Sequence, residues 1–403
     1  MVHHTMNTSR SNAPSASSNN KVMGGRRWAV GWWAAAAIVG SLVGCASGPV
    51  EVSPPVAVAP PEPAATTAAA IQRGKSRWVP VAWSDLPGWG SDALHEAWNA
   101  WLRGCERPAP GFATLCAEAR PLAIASAAEQ QAWVMRRLQP YRVLEPDGRA
   151  PEGLLTGYYE PVMAASRVAT ATHRVPLYAP PAGLVAGQPW YTRQQIDTLS
   201  EAQAALRGRA IAWMADPIDA LILQIQGTGR LDITEADGRV RQVRLAYAAH
   251  NGQPYQSVGR WLLDQGAIRE ASWDGIKAWA SRHPGRLNEM LWSNPRTVFF
   301  REEPLSELDA RFGPRGAQGV PLTPGRSIAV DPQSIPYGTP VWLATQGATL
   351  NTQRLVLAQD TGGAIVGAVR ADLFTGWGSW TDEPYVTAAA LKQPLQMWVL
   401  WPR

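Results

Sequence analysis

The chain has 403 residues, of which 46% are apolar, so it is long enough to bury a sizeable core and to form two domains. Its formal net charge of +5 comes from scattered arginines. No long Lys/Arg run or nucleic-acid-binding motif accompanies this charge, which argues against a nucleic-acid partner. The 20 tryptophans predict a core rich in aromatic side chains, with sugar stacking on exposed rings as the alternative.

Residues 1–45 indicate a leader followed by a lipoprotein signal peptide. Arg26 and Arg27 precede the apolar stretch WAVGWWAAAAIVGSLVG, and the string LVGC ends at Cys45. This string matches the lipobox of bacterial lipoproteins, in which the cysteine is lipidated and becomes the mature amino terminus. A short transmembrane anchor is the alternative, because the apolar run lies at the lower edge of spanning length. Ala46 stands where an inner-membrane retention signal usually has aspartate, so we expect an outer-membrane lipoprotein that faces the periplasm.

Residues 46–75 predict a semi-extended tether, because this Pro/Ala-rich stretch cannot form a packed core. The folded part begins near Trp78. Helical spacing in SDALHEAWNAWLRGCE predicts a first helix with Ser91 as its N-cap, and AEQQAWVMRRL predicts a second. Cys105 and Cys116 form an even pair in what would be an oxidising compartment, which predicts a disulfide. A metal site is the weaker alternative, because no His or third Cys lies at ligand spacing.

The pattern changes to short β-type runs after Pro151, in LLTGYYEPVM and ALILQIQGTGRL. Helical spacing returns in YQSVGRWLLDQG and SWDGIKAWASRH. After Pro295 we expect almost only strands and turns, with strands in VFFRE, SIAVD, TPVWLAT, RLVLAQ and LQMWVLW. Short strands at this spacing suggest a small barrel, because closure removes exposed sheet edges.

Three aspartates in this last segment are the candidate chemical groups, since motifs for a serine hydrolase, a zinc protease or a nucleotide site are absent and no metal or cofactor is expected. Asp331 precedes a proline and is expected to hold a turn. Asp360, at a strand end before TGG, fits either a turn or a site. Asp372 lies between apolar neighbours in the predicted strand AVRADLF. A partly desolvated carboxyl that faces a second carboxylate can keep its proton near neutral pH, so Asp372 is the predicted proton donor.

Several motifs together resemble the membrane-bound lytic transglycosylase A family. They are LTGYYEP from Leu155, LQIQGTGRL from Leu223, NPRTVFF from Asn294, and the series AVDP, IPYGTPVWL, QDTGGAIVG and RADLFTGWG. The resemblance covers about residues 76–403 and keeps the motif order.

The resemblance implies a mainly β fold with some α. A double-psi β-barrel domain is interrupted in this fold by a second, smaller β-rich domain, with a groove between them. Residues 76–160 and 299–403 would form the barrel, which includes a 3D domain at about 321–403. Residues 161–298 would form the inserted domain.

The resemblance also implies a peptidoglycan lytic transglycosylase. Such an enzyme cleaves the β-1,4 bond between N-acetylmuramic acid and N-acetylglucosamine and leaves a 1,6-anhydromuramoyl end. Asp372 would act first as acid and then as base, with Asp360 beside it as the second catalytic candidate. One alternative is a hydrolytic endoglucanase-like enzyme on the same barrel, which needs a second carboxylate to activate water. Another is a glycan-binding cell-wall lipoprotein whose aspartates are structural.

The expected partners are peptidoglycan glycan strands and, through a lipid anchor at Cys45, the outer membrane; cell-wall synthesis or scaffold proteins are further candidates. Hydroxyl and amide groups bond sugar hydroxyls, aromatic faces pack on sugar rings, and glycines let the backbone approach a glycan. The candidate substrate contacts chosen on these grounds are Thr156, Tyr158, Tyr159, Gln224, Gln226, Gly227, Gly229, Arg230, Thr361, Gly362 and Gly363.

Overall fold

The computed structural model describes residues 68–307 and 309–403, so Cys45 and most of the predicted tether lie outside the described residues. The strands are β1 Ile71–Gln72, β2 Arg77–Pro80, β3 Leu138–Leu144, β4 Leu154–Ser166, β5 Val175–Tyr178, β6 Ala210–Met214, β7 Thr228–Thr234, β8 Val240–His250, β9 Val298–Pro304, β10 Ser327–Val330, β11 Thr339–Gln346, β12 Asn351–Asp360, β13 Arg370–Gly378, β14 Lys392–Pro394 and β15 Gln396–Pro402. The helices are α1 Leu94–Gly104, α2 Ala113–Ala119, α3 Ala127–Arg137, α4 Arg193–Thr198, α5 Ser200–Ala205, α6 Pro217–Gln226, α7 Val258–Asp264, α8 Trp273–Arg282, α9 Leu287–Trp292 and α10 Glu383–Ala390. The predicted fold class, mainly β with some helix, is confirmed.

The strands form one continuous mixed sheet, whose neighbours run in the order β1-β2-β3-β15-β11-β12-β10-β13-β4-β7-β8-β9. Strand β4 is the ninth of the twelve strands on this path, between β13 and β7. Its first half runs parallel to β13, and its second half, from Val162 to Ser166, runs parallel to β7. The strand therefore joins the carboxyl-terminal strands to those of the middle of the chain.

Separate apolar clusters lie on the two sides of this junction. Helices α1, α2 and α3 pack on β11, β12 and β15 through residues such as Trp98 and Trp342. A second cluster gathers α6, β7, β8 and β9 around residues such as Leu223, Leu231 and Phe300. The sequence predicted a core rich in aromatic side chains, and most of the buried tryptophans lie in or beside the first cluster. The tryptophans that are less than 9% exposed are Trp78, Trp83, Trp98, Trp101, Trp133, Trp279, Trp342 and Trp398.

The apolar run ALILQIQGTGRL was predicted to be β-type throughout, and this was wrong for its first half. Pro217 occupies the first turn of α6, and the Asp216 carboxylate accepts a hydrogen bond from the Ile218 amide at 2.7 Å, so the segment begins as a capped helix. Gly227 ends that helix with a φ of 77°, a left-handed conformation that glycine adopts without strain. Only then does β7 begin.

One further expectation was also wrong. Ser91 does not cap α1, because the helix begins after Ala93 and the Ser91 hydroxyl instead donates to the Gly88 carbonyl at 2.7 Å. The five strands predicted after Pro295 are confirmed as β9, β10, β11, β12 and β15, and this segment also contains the helix α10. In the part of the chain that the structure describes, no helix has the length and apolar character to cross a membrane.

The predicted disulfide between Cys105 and Cys116 is present, with an S–S distance of 2.08 Å. Cys105 ends α1 and Cys116 lies within α2, so the bond ties together two helices that cover the first core cluster.

We expect the double variant Cys105→Ala/Cys116→Ala to lower the free energy of unfolding by about 2 to 3 kcal/mol. The disulfide closes a loop in the unfolded chain and so lowers the conformational entropy of that chain, and the variant loses this effect. Urea unfolding of the variant beside the oxidised wild type measures this difference. Reduced wild type serves as the control and should match the variant. Equal midpoints for oxidised and reduced wild type, or two titratable thiols in unreduced protein lacking Cys45, would contradict it.

Candidate active site

Four neighbouring strands align a row of residues across the sheet. Ala329 of β10 lies directly beside Asp360 of β12 on one side and Asp372 of β13 on the other, and Asp372 lies beside Thr156 of β4. Side chains opposite one another on adjacent strands point to the same face of a sheet. Ala329 contributes only a methyl group, so the two carboxylates on its flanks have room to face the same space.

Asp372 is held by a short relay of hydrogen bonds. The Thr156 hydroxyl donates to Asp372 Oδ1 at 2.6 Å, and Arg370 Nη2 donates to Thr156 Oγ1 at 2.9 Å. Burial raises the pKa of Asp372 to about 6, and the negative charge of Asp360 acts in the same direction. The Thr156 hydrogen bond and the Arg370 charge oppose this rise. Asp372 therefore exchanges its proton near neutral pH.

Asp360 is engaged through both of its oxygens. The Tyr158 hydroxyl donates to Oδ2 at 2.8 Å, and the Ala317 amide donates to Oδ1 at 2.9 Å. Burial raises the pKa of Asp360, whereas the amides of Ala317 and Thr361 and the Tyr158 hydroxyl lower it. Burial and the Asp360 charge hold the pKa of Tyr158 well above its usual value, so the tyrosine remains a donor.

A groove of about 940 Å³ opens above this row. It brings together most of the residues that the sequence predicted. Those lining it are Asp360, Asp372, Tyr158, Gln224, Gln226, Gly227, Thr361, Gly362 and Gly363. Thr156 lies behind Asp372 as its hydrogen-bond donor.

Besides Thr156, three further predicted sugar contacts do not line the groove. Tyr159 is 3% exposed and packs against Tyr385, because successive residues of a strand face opposite sides of the sheet and Tyr158 occupies the groove side. Arg230 is also 3% exposed, and its Nε donates to Glu160 Oε2 at 2.9 Å. Gly229 packs against Leu223 and Pro161, where a side chain has no space. These residues support the walls from behind.

Asp331 also lies apart from the groove. Its carboxylate accepts hydrogen bonds from the amides of Gln333 and Gly367, both at 3.0 Å, and lies 3.1 Å from the Lys75 ammonium. These contacts tie together three separated parts of the chain, as a turn-holding aspartate does. Within residues 68–307 and 309–403, no group of three or more His, Cys, Asp or Glu side chains is placed to hold a metal ion.

The groove also contains residues that sequence reasoning missed. Tyr247 and Tyr255 are 45% and 38% exposed along it, and His250 lies beside them. Arg107 and Arg296 are further lining residues. No motif surrounds the tyrosines, and the exposed aromatic rings sought in the sequence were tryptophans, so only their position in the fold could reveal them.

The fold and the site together define a mainly β protein with two half-buried carboxyl groups at the floor of an open groove. Residues 154–301 match the family model of the MltA specific insert domain, and residues 326–401 match the family model of the 3D domain. The chain therefore belongs to the membrane-bound lytic murein transglycosylase A family.

Individual relatives agree with this assignment. The lytic transglycosylase LtgG of Burkholderia pseudomallei is 42% identical, with 84% of this chain and 99% of that chain covered and a TM-score of 0.55. MltA from Neisseria gonorrhoeae is 29% identical, with 85% and 96% covered and a TM-score of 0.68. Membrane-bound lytic murein transglycosylase A of Escherichia coli strain K12 is 32% identical over 235 residues, which are 55% of this chain and 59% of that protein. The chain thus spans 59% of the length of this curated relative.

The contacts of Asp372 predict two opposite changes in its pKa. Thr156→Val removes a donor to the charged carboxylate and should raise the pKa above about 6, whereas Asp360→Asn removes a neighbouring negative charge and should lower it. Carboxyl carbon NMR titration of Asp372 measures both. Shifts in the same direction, or no shift in either variant, would contradict the assigned contacts.

Proposed function

We propose that this protein is a peptidoglycan lytic transglycosylase. It cleaves the β-1,4 bond between N-acetylmuramic acid and N-acetylglucosamine and leaves a 1,6-anhydromuramoyl end. The observation that carries the proposal is the contrast between two aspartates. Asp372 is a carboxyl group with a pKa of about 6 on the groove floor, whereas both oxygens of Asp360 already accept hydrogen bonds.

In the first step, protonated Asp372 gives its proton to the glycosidic oxygen as the bond from that oxygen to C1 of the muramoyl residue breaks. A pKa near the working pH suits this transfer, since a useful fraction of the group is protonated and its conjugate base is not too weak. The Thr156 hydroxyl stabilises the carboxylate that forms, because it donates to Oδ1 at 2.6 Å.

In the second step, the C6 hydroxyl of the same muramoyl residue attacks C1, and its proton passes to the Asp372 carboxylate. A C1–O6 bond replaces the C1–O4 bond, the proton returns to Asp372, and no water is consumed. One carboxyl group suffices, because the nucleophile belongs to the substrate and is already positioned. A hydrolase instead needs a second carboxylate to activate water or to attack the sugar.

Asp360 is poorly suited to that second task. The Tyr158 hydroxyl and the Ala317 amide occupy its oxygens, so an approaching water has to compete with donors that the fold fixes in place. Its charge instead raises the pKa of Asp372. This arrangement favours transglycosylation over hydrolysis. A glycan-binding lipoprotein with purely structural aspartates is a poorer fit, because Asp372 lines the groove and does not hold a turn as Asp331 does.

The remaining lining residues fit a glycan in the groove. Tyr247 and Tyr255 offer exposed rings to sugar faces, and Gln226, Thr361 and Gly363 offer amide, hydroxyl and backbone groups to sugar hydroxyls and N-acetyl groups. The mechanism requires that this binding fix the C6 hydroxyl near C1, which is the role that we assign to the groove.

We also propose the division into a barrel domain, residues 76–160 and 299–403, and an inserted domain, residues 161–298. The exchange of pairing partners within β4 at Val162 supports the first boundary. Strand β9 pairs with β8 of the inserted part, which moves the second boundary to the end of β9 at Pro304. The LVGC string ending at Cys45 supports an outer-membrane lipoprotein that faces the periplasm. A disulfide in the folded part fits that oxidising compartment.

Asp372→Asn should lower turnover by at least about 10² to 10⁴-fold, because the amide keeps the shape of the side chain but cannot deliver or recover the proton. The variant should still bind glycan. Its thermal unfolding temperature at about pH 7.5 should be unchanged or higher. Because the pKa of Asp372 is raised in the folded state, the wild type loses stability as the pH rises from about 4 towards about 6. The uncharged amide of the variant does not undergo this loss.

Digestion of purified sacculi with mass spectrometry of the released muropeptides measures this change. Asp147→Asn, a substitution at an exposed turn residue that does not line the groove, is the matched control and should leave activity intact. The proposal fails if Asp372→Asn keeps more than about a tenth of wild-type turnover. It also fails if the variant loses stability and binding together with activity.

A further inference from the structure

The groove carries more positive charge than an uncharged sugar chain requires. Its lining includes the arginines Arg107, Arg193, Arg296, Arg301 and Arg315, against the acids Glu303, Asp360 and Asp372. Three of the arginines are already engaged. Arg193 donates to the Gln224 side chain at 2.7 Å, Arg301 pairs with Glu303 at 2.7 Å, and Arg315 donates to the Gly319 carbonyl at 2.9 Å. The terminal nitrogens of the other two, Arg107 and Arg296, have no such partner among the described residues.

Arg107 presents an exposed guanidinium on one wall. The group lies against Gly319, where a Cβ atom would come 2.8 Å from Arg107 Cζ. It has no hydrogen-bond or ion-pair partner among the described residues. Gly319 belongs to a tight turn, closed by a bond from the Gly316 amide to the Val320 carbonyl at 3.0 Å, and the same turn provides the Ala317 amide to Asp360. Arg107 therefore stands beside the aspartate row.

Arg296 also presents its guanidinium to the groove. Its Nε donates to the Gln253 carbonyl at 2.8 Å and so fixes the direction of the side chain. Its Nη1 lies 3.4 Å from the position of a Cβ on Gly363, three residues beyond Asp360. In the described part of the chain neither Nη atom has a hydrogen-bond acceptor. Two guanidinium groups thus lie near the aspartate row, and their terminal nitrogens have no acceptor among the described residues.

Guanidinium groups recognise carboxylates through paired N–H donors, and such charge-assisted bonds are stronger than those to neutral oxygens. In peptidoglycan the N-acetylglucosamine residues are uncharged, and the carboxylates belong to the muramoyl residues. They lie on the peptide stems or, once a stem is removed, on the lactyl group that carried it.

Resting on the function proposed above, we propose that Arg107 and Arg296 are specificity-determining residues that bind carboxylates carried by the muramoyl residues next to the scissile bond. The free guanidinium groups thereby make the groove selective for acidic glycan over uncharged N-acetylglucosamine polymers. The stem peptide is the expected source of the carboxylate, because an intact wall carries few free lactyl groups.

The test measures binding in the Asp372→Asn background, so that no ligand is consumed and the result does not depend on catalysis. The ligands are a muramoyl-containing oligosaccharide with its peptides, the same oligosaccharide after amidase treatment, and N-acetylglucosamine hexamer. Arg107→Gln and Arg296→Gln should each weaken binding of the peptide-bearing oligosaccharide by about tenfold. The affinity for the N-acetylglucosamine hexamer should stay the same. The loss should shrink at high salt, which screens the charges.

Loss for the peptide-bearing ligand alone assigns the contact to the stem, and loss for the amidase-treated ligand alone assigns it to the lactyl carboxylate. Loss for both acidic ligands means that the guanidinium groups bind either carboxylate. Arg207→Gln removes the same charge from an exposed position outside the groove and is the matched control. Arg107→Lys should recover part of the affinity, since it restores the charge without the planar donor pair. Equal losses for all three ligands, or no loss for any, would overturn the proposal. Failure of the proposed function would appear separately, as the absence of anhydro products from wild type.

Discussion

The continuity of strand β4 is the constraint on which the groove depends. Its residues Thr156 and Tyr158 hold Asp372 and Asp360 by hydrogen bonds of 2.6 and 2.8 Å, while its second half pairs with β7 in the other sheet region. One continuous strand therefore links the aspartates to the strands beside α6. A site built on rigid elements keeps its geometry better than one built on loops.

A buried ion cluster links strand β4 to the turn that holds Asp360. Glu160, fully buried in β4, accepts hydrogen bonds from Arg230 at 2.9 Å and from Arg244 at 2.6 Å. Both guanidinium groups also donate to the Phe312 carbonyl at 2.8 Å, just before the turn whose Ala317 amide holds Asp360. Breaking a buried pair of this kind typically costs about 3 to 5 kcal/mol. Arg230 thus acts on the site through the backbone that it positions.

The sequence was most informative where local pattern and chemistry agree. The predicted strand AVRADLF is β13, and the chemical oddity of an aspartate between apolar neighbours pointed to the residue that the structure places on the groove floor. The sequence pattern was less reliable where tertiary packing determines which side chains reach the groove. The same GYYEP motif places Tyr158 in the groove and Tyr159 in a core, a distinction that depends on which face of β4 meets solvent. Arg107, Tyr247 and Arg296 are distant in sequence and become neighbours of one groove only through the fold.

The central claim is that the substrate's own C6 hydroxyl, and not water, takes the place of the leaving sugar while Asp372 moves the proton. Digestion of peptidoglycan in water enriched in oxygen-18, followed by mass spectrometry of the muramoyl ends, tests this claim most directly. The account predicts anhydromuramoyl products without the heavy isotope at C1, because no solvent oxygen enters the bond that forms. New muramoyl reducing ends, formed in proportion to cleavage in place of anhydromuramoyl ends, would show that water is the nucleophile and would contradict the account.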